Sequence, residues 1–266
     1  MDKKEICRKT IASVKQTGQY INKQHNERDN IVIEEKGKHN FVTQVDKTAE
    51  QMLVMELSKI IPEAGFIVEE GTNTTKGERY NWIIDPLDGT TNFIHGVFPF
   101  AISVALVEGN DPIVGVILEL GLDECFYAWK GGGAWKDNNP IEVSKRLTLN
   151  DSLIATGFPY TNFSYVENFL DTIDWFMKNS QGLRRLGSAA TDIAYVACGR
   201  YDGFYEYGLS PWDVAAGIII LSEAGGKSAD FSGGDNYLFG GELICTNSRN
   251  HEEFVSIIKS LMKKDA

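Results

Sequence analysis

Hydrophobic positions along the chain change period several times, and each change marks an element. Cys7, Ile11, Val14, Gly18 and Ile21 recur at alternating spacings of four and three, the stripe of an amphipathic helix over about 3–24. A second helical pattern follows Asp46, with Leu53, Leu57, Ile60 and Ile61 on one side and Pro62 as its stop. GFIV (65–68) and NWII (81–84) are short apolar runs that read as buried strands, each running into acid. Between Phe98 and Val143 the pattern is a meander: FAISVALVE turns at Gly109-Asn110 into PIVGVILEL, then ECFYAWK, then a turn at Gly131-Gly132-Gly133.

A second half begins near residue 146, giving units 1–145 and 146–266 with a soft boundary near 144–151. SLIATGF, LRRL, GFYEY and ELICTN read as strands. VENFLDTIDWFMK, AATDIAYVAC and WDVAAGIIILSEAGG read as helices, as does NHEEFVSIIKSLMKK. Phe169, Ile173 and Phe176 share a face of the first of these. Asn250 followed three residues later by Glu253 resembles a capping box for the last. Mixed helices and strands in irregular alternation favour an α and β architecture.

Composition narrows the picture. With 266 residues, 42% of them hydrophobic, the chain can bury a substantial core. No run of about 20 apolar residues spans a membrane, and the N-terminus lacks the unbroken apolar stretch of a signal peptide. Cys7, Cys125, Cys198 and Cys245 are far apart and read as buried reduced thiols of a cytoplasmic protein. The net charge of −11 and the absence of a basic run argue against nucleic acid as the main partner. An acidic protein still binds small anions if it first binds cations.

The candidate chemistry centres on IIDPLDGTTNF (83–93). Asp85 stands where the strand should stop, Pro86 stiffens the backbone, and Asp88 follows three residues after Asp85. Asp85 alone reads equally well as a turn residue. Gly89-Thr90-Thr91, however, offers free N–H groups where a helix could begin, a natural anion site beside a site for cations. Glu69-Glu70 ends the preceding strand; adjacent glutamates repel, which suggests that at least one meets a cation. Asp213 in SPWDVAAG is read more simply as the acid of a capped helix start, with Ser210 as cap and Pro211 first in the helix. Asp46 has the same ambiguity, and Glu206 reads as an ordinary outward strand residue. The spacing fails the EF-hand pattern, the glycine triplet matches no phosphate-binding fingerprint, and His25, His39, His95 and His251 lack ligand spacing.

Taken together, Glu69-Glu70, IIDPLDGTTNF and WDVAAG resemble the inositol monophosphatase family of lithium-sensitive, magnesium-dependent phosphatases. The likeness extends to KGKHNFVTQVDKTAEQ (36–51), GSAATDIAYVACGRYDGFYE (187–206) and SEAGG (222–226). It implies an α+β fold, a layered α/β/α/β/α sandwich. The larger sheet would be antiparallel and lie in the N-terminal half, with a smaller mixed sheet in the C-terminal half. It also implies a homodimer.

The resemblance further assigns roles. Glu69, Asp85 and the Leu87 carbonyl would hold one magnesium. Asp85, Asp88 and Asp213 would hold a second, and a third, weaker ion would lie near Glu69; manganese is an alternative. Oxygen ligands suit such hard cations, and a pair of ions about 3.5–4 Å apart stabilises both attacking and leaving oxygens of an in-line displacement. Thr90, paired with Asp46, and Glu69 would activate the attacking water. Gly89 and Thr90 would give N–H groups to the phosphate, while Gly187, Ser188, Ala189 and Glu206 would meet the alcohol. Lys36 would lie on a mobile loop over the metals, where Asn40 stands in place of the aspartate of many relatives. Leu87 replaces an isoleucine, with its carbonyl unchanged.

The implied activity is hydrolysis of myo-inositol monophosphate, a small-molecule phosphate ester. Alternatives are fructose 1,6-bisphosphate, NADP, histidinol phosphate or 3′-phosphoadenosine 5′-phosphate. Thr91-Asn92 favours the inositol-type subgroup, and Glu206 suits a neutral polyol. A regulatory binding protein is the alternative of another class, and the intact acid set argues against a purely non-catalytic one.

Overall fold

A computed structural model describes residues 1–27, 33–37, 40–160 and 162–263, with backbone alone for 33–37 and 40–42. Its elements in chain order begin with α1 (Lys3–Asn26), β1 (Ile33–Gly37), β2 (Asn40–Thr43) and α2 (Gln44–Ile60). There follow β3 (Gly65–Val68), β4 (Tyr80–Asp88), α3 (Thr90–His95), β5 (Ala101–Glu108), β6 (Asp111–Glu119), β7 (Glu124–Trp129), β8 (Ala134–Lys136) and β9 (Asn139–Ile141). The remainder comprises β10 (Leu153–Thr156), α4 (Val166–Asn179), β11 (Gly182–Arg184), α5 (Ala189–Ala197), β12 (Gly203–Tyr207), α6 (Pro211–Glu223), β13 (Lys227–Ala229), β14 (Glu242–Thr246) and α7 (His251–Leu261).

Strands β3 to β9 form a seven-stranded sheet in sequential order, and a second sheet has the order β11-β10-β12-β14-β13. The first is antiparallel except for its β3–β4 edge, which is parallel. The expected antiparallel pairing holds everywhere but at that edge, where the connection from β3 loops back over 69–79 instead of making a hairpin. The second sheet mixes parallel pairing around β10 with antiparallel pairing around β14.

Alternation along the strands decides the layers. Trp82, Ile84, Val104 and Val116 face α1 and α2, while Ile83, Ala105, Ile117 and Phe126 face α5 and α6. Those two helices also meet the second sheet through Phe204, Leu243 and Cys245. Its far side packs Tyr205 and Ile244 against Phe169 and Phe176 of α4 and Phe254 of α7. The result is the five-layer α/β/α/β/α sandwich.

Two close approaches explain small residues in the pattern. A Cβ on Gly18 would stand 2.7 Å from Leu118, so α1 can lie flat on β6. A Cβ on Gly115 would stand 2.5 Å from Ile219 and 2.7 Å from the Ala216 carbonyl oxygen, so α6 seats on the opposite face. The glycine triplet is a hairpin turn between β7 and β8; its Gly131 and Gly133 amides each donate to the Glu223 carboxylate at 2.8 Å.

Local expectations are corrected at three places. The helix near Asp46 starts earlier, at Gln44, because Thr43 is its cap and Asp46 is the third helical residue. Asn250 begins α7 without a side-chain cap; its amide nitrogen donates to Ser152 Oγ at 3.2 Å. LRRL pairs only as far as Arg184, and Arg185 leaves the sheet. Ser210 and Pro211 start α6 as expected. All four cysteines are free thiols. No described helix is long and apolar enough to cross a membrane.

Candidate active site

Strand β4 does not stop at Ile84. It continues through the motif to Asp88, with Asp85 opposite Ser103 and Asp88 opposite Ala101. Three steps along β4 therefore match two along β5, which is a β-bulge at Pro86-Leu87. The bulge is the answer to the spacing of the two acids. In a regular strand, residues three apart point to opposite faces; one inserted residue returns the second to the face of the first. Proline suits this position because it has no N–H to lose from the ladder. Asp85 shares the face of Ile83, which looks toward α6, and Asp213 waits in the first turn of that helix.

Carboxylate oxygens of Asp85, Asp88 and Asp213 lie within 4.8 Å of one another. Each acid is partly engaged by the protein. Asp85 accepts from Leu87 N–H at 2.8 Å. Asp88 Oδ2 accepts from Ser188 Oγ and the Ala190 amide, both at 2.7 Å. Asp213 Oδ2 accepts from the Ser210 amide at 2.6 Å. The capping reading of Asp213 and its place in the cluster are thus both realised. Leu87 buries its side chain in the α1/α2 core, and its carbonyl oxygen lies 3.0 Å from Thr90 Oγ1.

Electrostatics make this cluster costly without a cation. Burial first, then the charges of Glu69, Asp88 and Asp213, push the Asp85 carboxyl well above the usual range. Burial and Asp88 do the same to Asp213. Asp88 is raised to about 6 by burial, against the downward pull of Ser188 and of the amides at the start of α5. An all-oxygen set of buried, mutually repelling carboxylates fits a hard divalent cation, which would replace repulsion by attraction.

Around the cluster lies a cavity of about 350 Å³, within the range of small-ligand sites. Glu69, Leu87, Gly89, Thr90, Gly187, Ser188, Ala189 and Glu206 line it together with the three aspartates. Asp46 is buried behind Thr90: its Oδ1 lies 2.9 Å from Thr90 Oγ1, and its Oδ2 accepts from the Thr43 amide at 2.9 Å. Burial raises its carboxyl, and the Thr43 and Thr90 hydroxyls partly offset this. Gly89 has φ +93° and opens α3; a Cβ there would press on Gly187 O at 3.1 Å. Lys36 and Asn40 are side chains outside the described set.

Several residues differ from their sequence-based reading or were absent from it. Ser188 caps α5 and holds Asp88, so its hydroxyl is already occupied within the protein. Asn92 ties α3 to its surroundings by donating to Pro99 O at 2.7 Å and Leu186 O at 2.8 Å. Glu206 is 8% exposed and lines the cavity; its carboxyl is pushed up to about 8 by burial. Tyr160, Arg185 and Asp192 also line the cavity and carried no sequence signal. None of the described histidines does.

The five-layer scaffold and the convergent acids define a class, the metal-dependent phosphatases of layered α+β type. The chain belongs to the inositol monophosphatase family, whose sequence profile matches residues 2–263. An inositol-1-monophosphatase of Mesorhizobium japonicum is 38% identical over 250 residues, 94% of each chain. The Nus factor SuhB of Pseudomonas aeruginosa is 37% identical over 94% of each chain. The solved structure of an IMPase from Thermotoga maritima superposes with a TM-score of 0.86 at 36% identity, covering 98% of each chain.

Proposed function

We propose that the protein is a magnesium-dependent phosphomonoester hydrolase releasing inositol and phosphate from myo-inositol monophosphate. The observation that carries this reading is the convergence of Asp85, Asp88 and Asp213 in one small cavity. Glu69, Asp85, Asp88, Asp213 and the Leu87 carbonyl would hold two magnesium ions, with a third near Glu69; manganese would be tolerated. When bound, the ions supply charge neutralisation at the ester and a lowered pKa for attacking water. Residues 1–145 would provide most ligands; residues 146–266 would provide Asp213 and the contacts to the alcohol.

The chain's own groups do the rest. Thr90 Oγ1 lies within hydrogen-bond reach of both Asp46 Oδ1 (2.9 Å) and Leu87 O (3.0 Å), yet it has one proton to give. Donation to Asp46 leaves the Thr90 oxygen free to accept from a water, and so to orient it, with Glu69 as the second acceptor. The Gly89 and Thr90 amides, at the start of α3, would meet the phosphate oxygens. Glu206 would take hydroxyls of the inositol ring. A cytoplasmic homodimer, as the resemblance implies, is part of the same proposal.

The test is phosphate release in magnesium, with a chelator control, from inositol 1-phosphate and fructose 1,6-bisphosphate in parallel. Preference for the inositol ester, abolished by chelation, is the expected result. Preference for the bisphosphate would keep the site and change the substrate. The Nus factor name of the Pseudomonas relative favours a second reading, a regulatory binding role. Absence of release from any phosphate ester would leave that reading in place of catalysis.

A further inference from the structure

Helix α2 carries two buried acids one turn apart, Asp46 and Glu50, which therefore share a face. Asp46 is the acid already described behind Thr90. Glu50 is 0% exposed and does not line the cavity. It holds the loop that follows β3, 20 residues along the chain. Its Oε2 accepts from the Glu70 amide at 2.7 Å, and its Oε1 accepts from the Thr72 amide at 2.8 Å and from Thr72 Oγ1 at 2.7 Å. Gly71, between those two amides, has φ +69°, and a Cβ there would meet nothing within 4 Å. The left-handed turn lets both amides point at one carboxylate, a backbone concavity suited to an anion.

The residue next to this concavity is Glu69. Its own amide donates to Ile84 O at 3.3 Å, one residue before Asp85 on β4. The following amide, that of Glu70, donates to Glu50. The Glu69 backbone is thus fastened on one side to the strand that carries Asp85 and on the other to α2. Its side chain lines the cavity, and its charge bears on Asp85. The simple account of Glu50 is an acid that closes a loop. Solvent or a neutral side chain would close it without burying a carboxylate, which is costly unless its hydrogen bonds are replaced. Bonds to a charged acceptor are also roughly twice as strong as neutral ones, so three donors on one buried carboxylate make a stiff attachment.

We propose that Glu50 is a positioning residue for Glu69, and that α2 thereby sets both groups that orient the attacking water. The inference rests on the phosphatase reading and deepens it. Asp46 fixes the Thr90 hydroxyl, and Glu50 fixes the loop of Glu69. Because the two acids stand on one rigid helix, the two acceptors of the water keep a constant separation. Without Glu50, Glu69 would follow the movements of its loop, and both the cation near it and the water would lose a fixed partner.

The test uses Glu50→Gln, whose carboxamide has one acceptor oxygen and so leaves one of the two amides facing an N–H. In chelator and without substrate, hydrogen exchange at the Glu70 and Thr72 amides should quicken about tenfold or more, while the β4 amides keep their rates. Hydrogen-bonded support of a metal ligand is worth roughly tenfold to a hundredfold in affinity or activity. Magnesium affinity measured by calorimetry should therefore fall about tenfold or more, as should kcat for myo-inositol 1-phosphate at saturating magnesium. Phe254→Leu, a core change in the far layer, should lower the melting temperature and leave magnesium affinity and kcat within about twofold. Faster exchange with affinity and kcat both near wild type would reduce Glu50 to a loop fastener and overturn the assignment. Unchanged exchange, or an equal metal defect in Phe254→Leu, would overturn it too. If Glu50→Gln does not fold, Gly71→Ala decides by the same criteria, since it keeps the carboxylate and strains only the turn. Wild-type protein that binds magnesium but hydrolyses no phosphate ester would refute the phosphatase reading; the calorimetric affinities alone would then decide whether Glu50 positions Glu69.

Discussion

Asp88 has its proton pulled in opposite directions. Burial raises its carboxyl to about 6, while Ser188 and the α5 amides favour the charged form. A cation adds to the second side, so protons and metal compete at this residue. The magnesium concentration for half-maximal activity should therefore rise as pH falls from 7.5 toward 5.5, which titrations at fixed substrate would measure. Asp88→Asn should abolish nearly all turnover, by on the order of a hundredfold or more. It should leave the circular dichroism spectrum unchanged, since an asparagine oxygen can still accept from Ser188 and Ala190. Near-normal phosphate release would refute the metal assignment.

Glu206 offers a stability test at the same scale. Its folded carboxyl is raised to about 8, above the ordinary 4.5, so the folded state holds this proton more tightly than the unfolded one. The penalty is absent below pH 4.5, grows as pH rises through the window to about 8, and is complete above it. In chelator, Glu206→Gln should consequently melt higher than wild type at pH 9, by an amount corresponding to a few kcal/mol. The difference should disappear near pH 4. A parallel offset at both pH values would show that Glu206 is not raised.

At the scale of elements, the bulge and the seating of α6 set the site. Helices α1, α5 and α6 were legible because their stripes, caps and stops are local. The bulge was not: period-two reasoning sends Asp85 and Asp88 to opposite faces, and only pairing with β5 reveals the extra residue. Asp192 was illegible for a related reason, since a first-turn acid looks ordinary until a second sheet buries it. The strands β8, β9 and β13, three residues each, are too short for a period to show. Gly115 links this scale to the site. Gly115→Val would push against the α6 backbone at Ala216 and displace Asp213 from the strand-borne acids. It should destabilise the protein by roughly 1–3 kcal/mol, as overpacking does, and raise the magnesium requirement, while Val114→Ile on the other face should not affect metal demand. Urea titrations and magnesium dependence would separate the two effects.

Across the whole molecule, the layers bring acids from distant parts of the chain together. Asp85 and Asp88 belong to the first sheet, whereas Asp213 belongs to a helix between the sheets. Binding to the folded state alone stabilises it by mass action, by about 2.7 kcal/mol at a hundredfold excess over Kd. Magnesium should therefore raise the melting temperature, chelator should reverse the effect, and Asp213→Ala should abolish the response. The resemblance made the layer order legible; composition and periodicity alone reached only a mixed α and β protein, since they do not say which helix covers which sheet.

Asp213 also fastens the start of α6 by accepting from the Ser210 amide at 2.6 Å. One side chain thus belongs both to a helix terminus and to a cluster of repelling charges. Relief of that repulsion would be felt at the terminus as slower fraying. The exchange of the Ser210 amide proton with deuterated solvent then becomes a gauge, read without any substrate, of what the cavity holds.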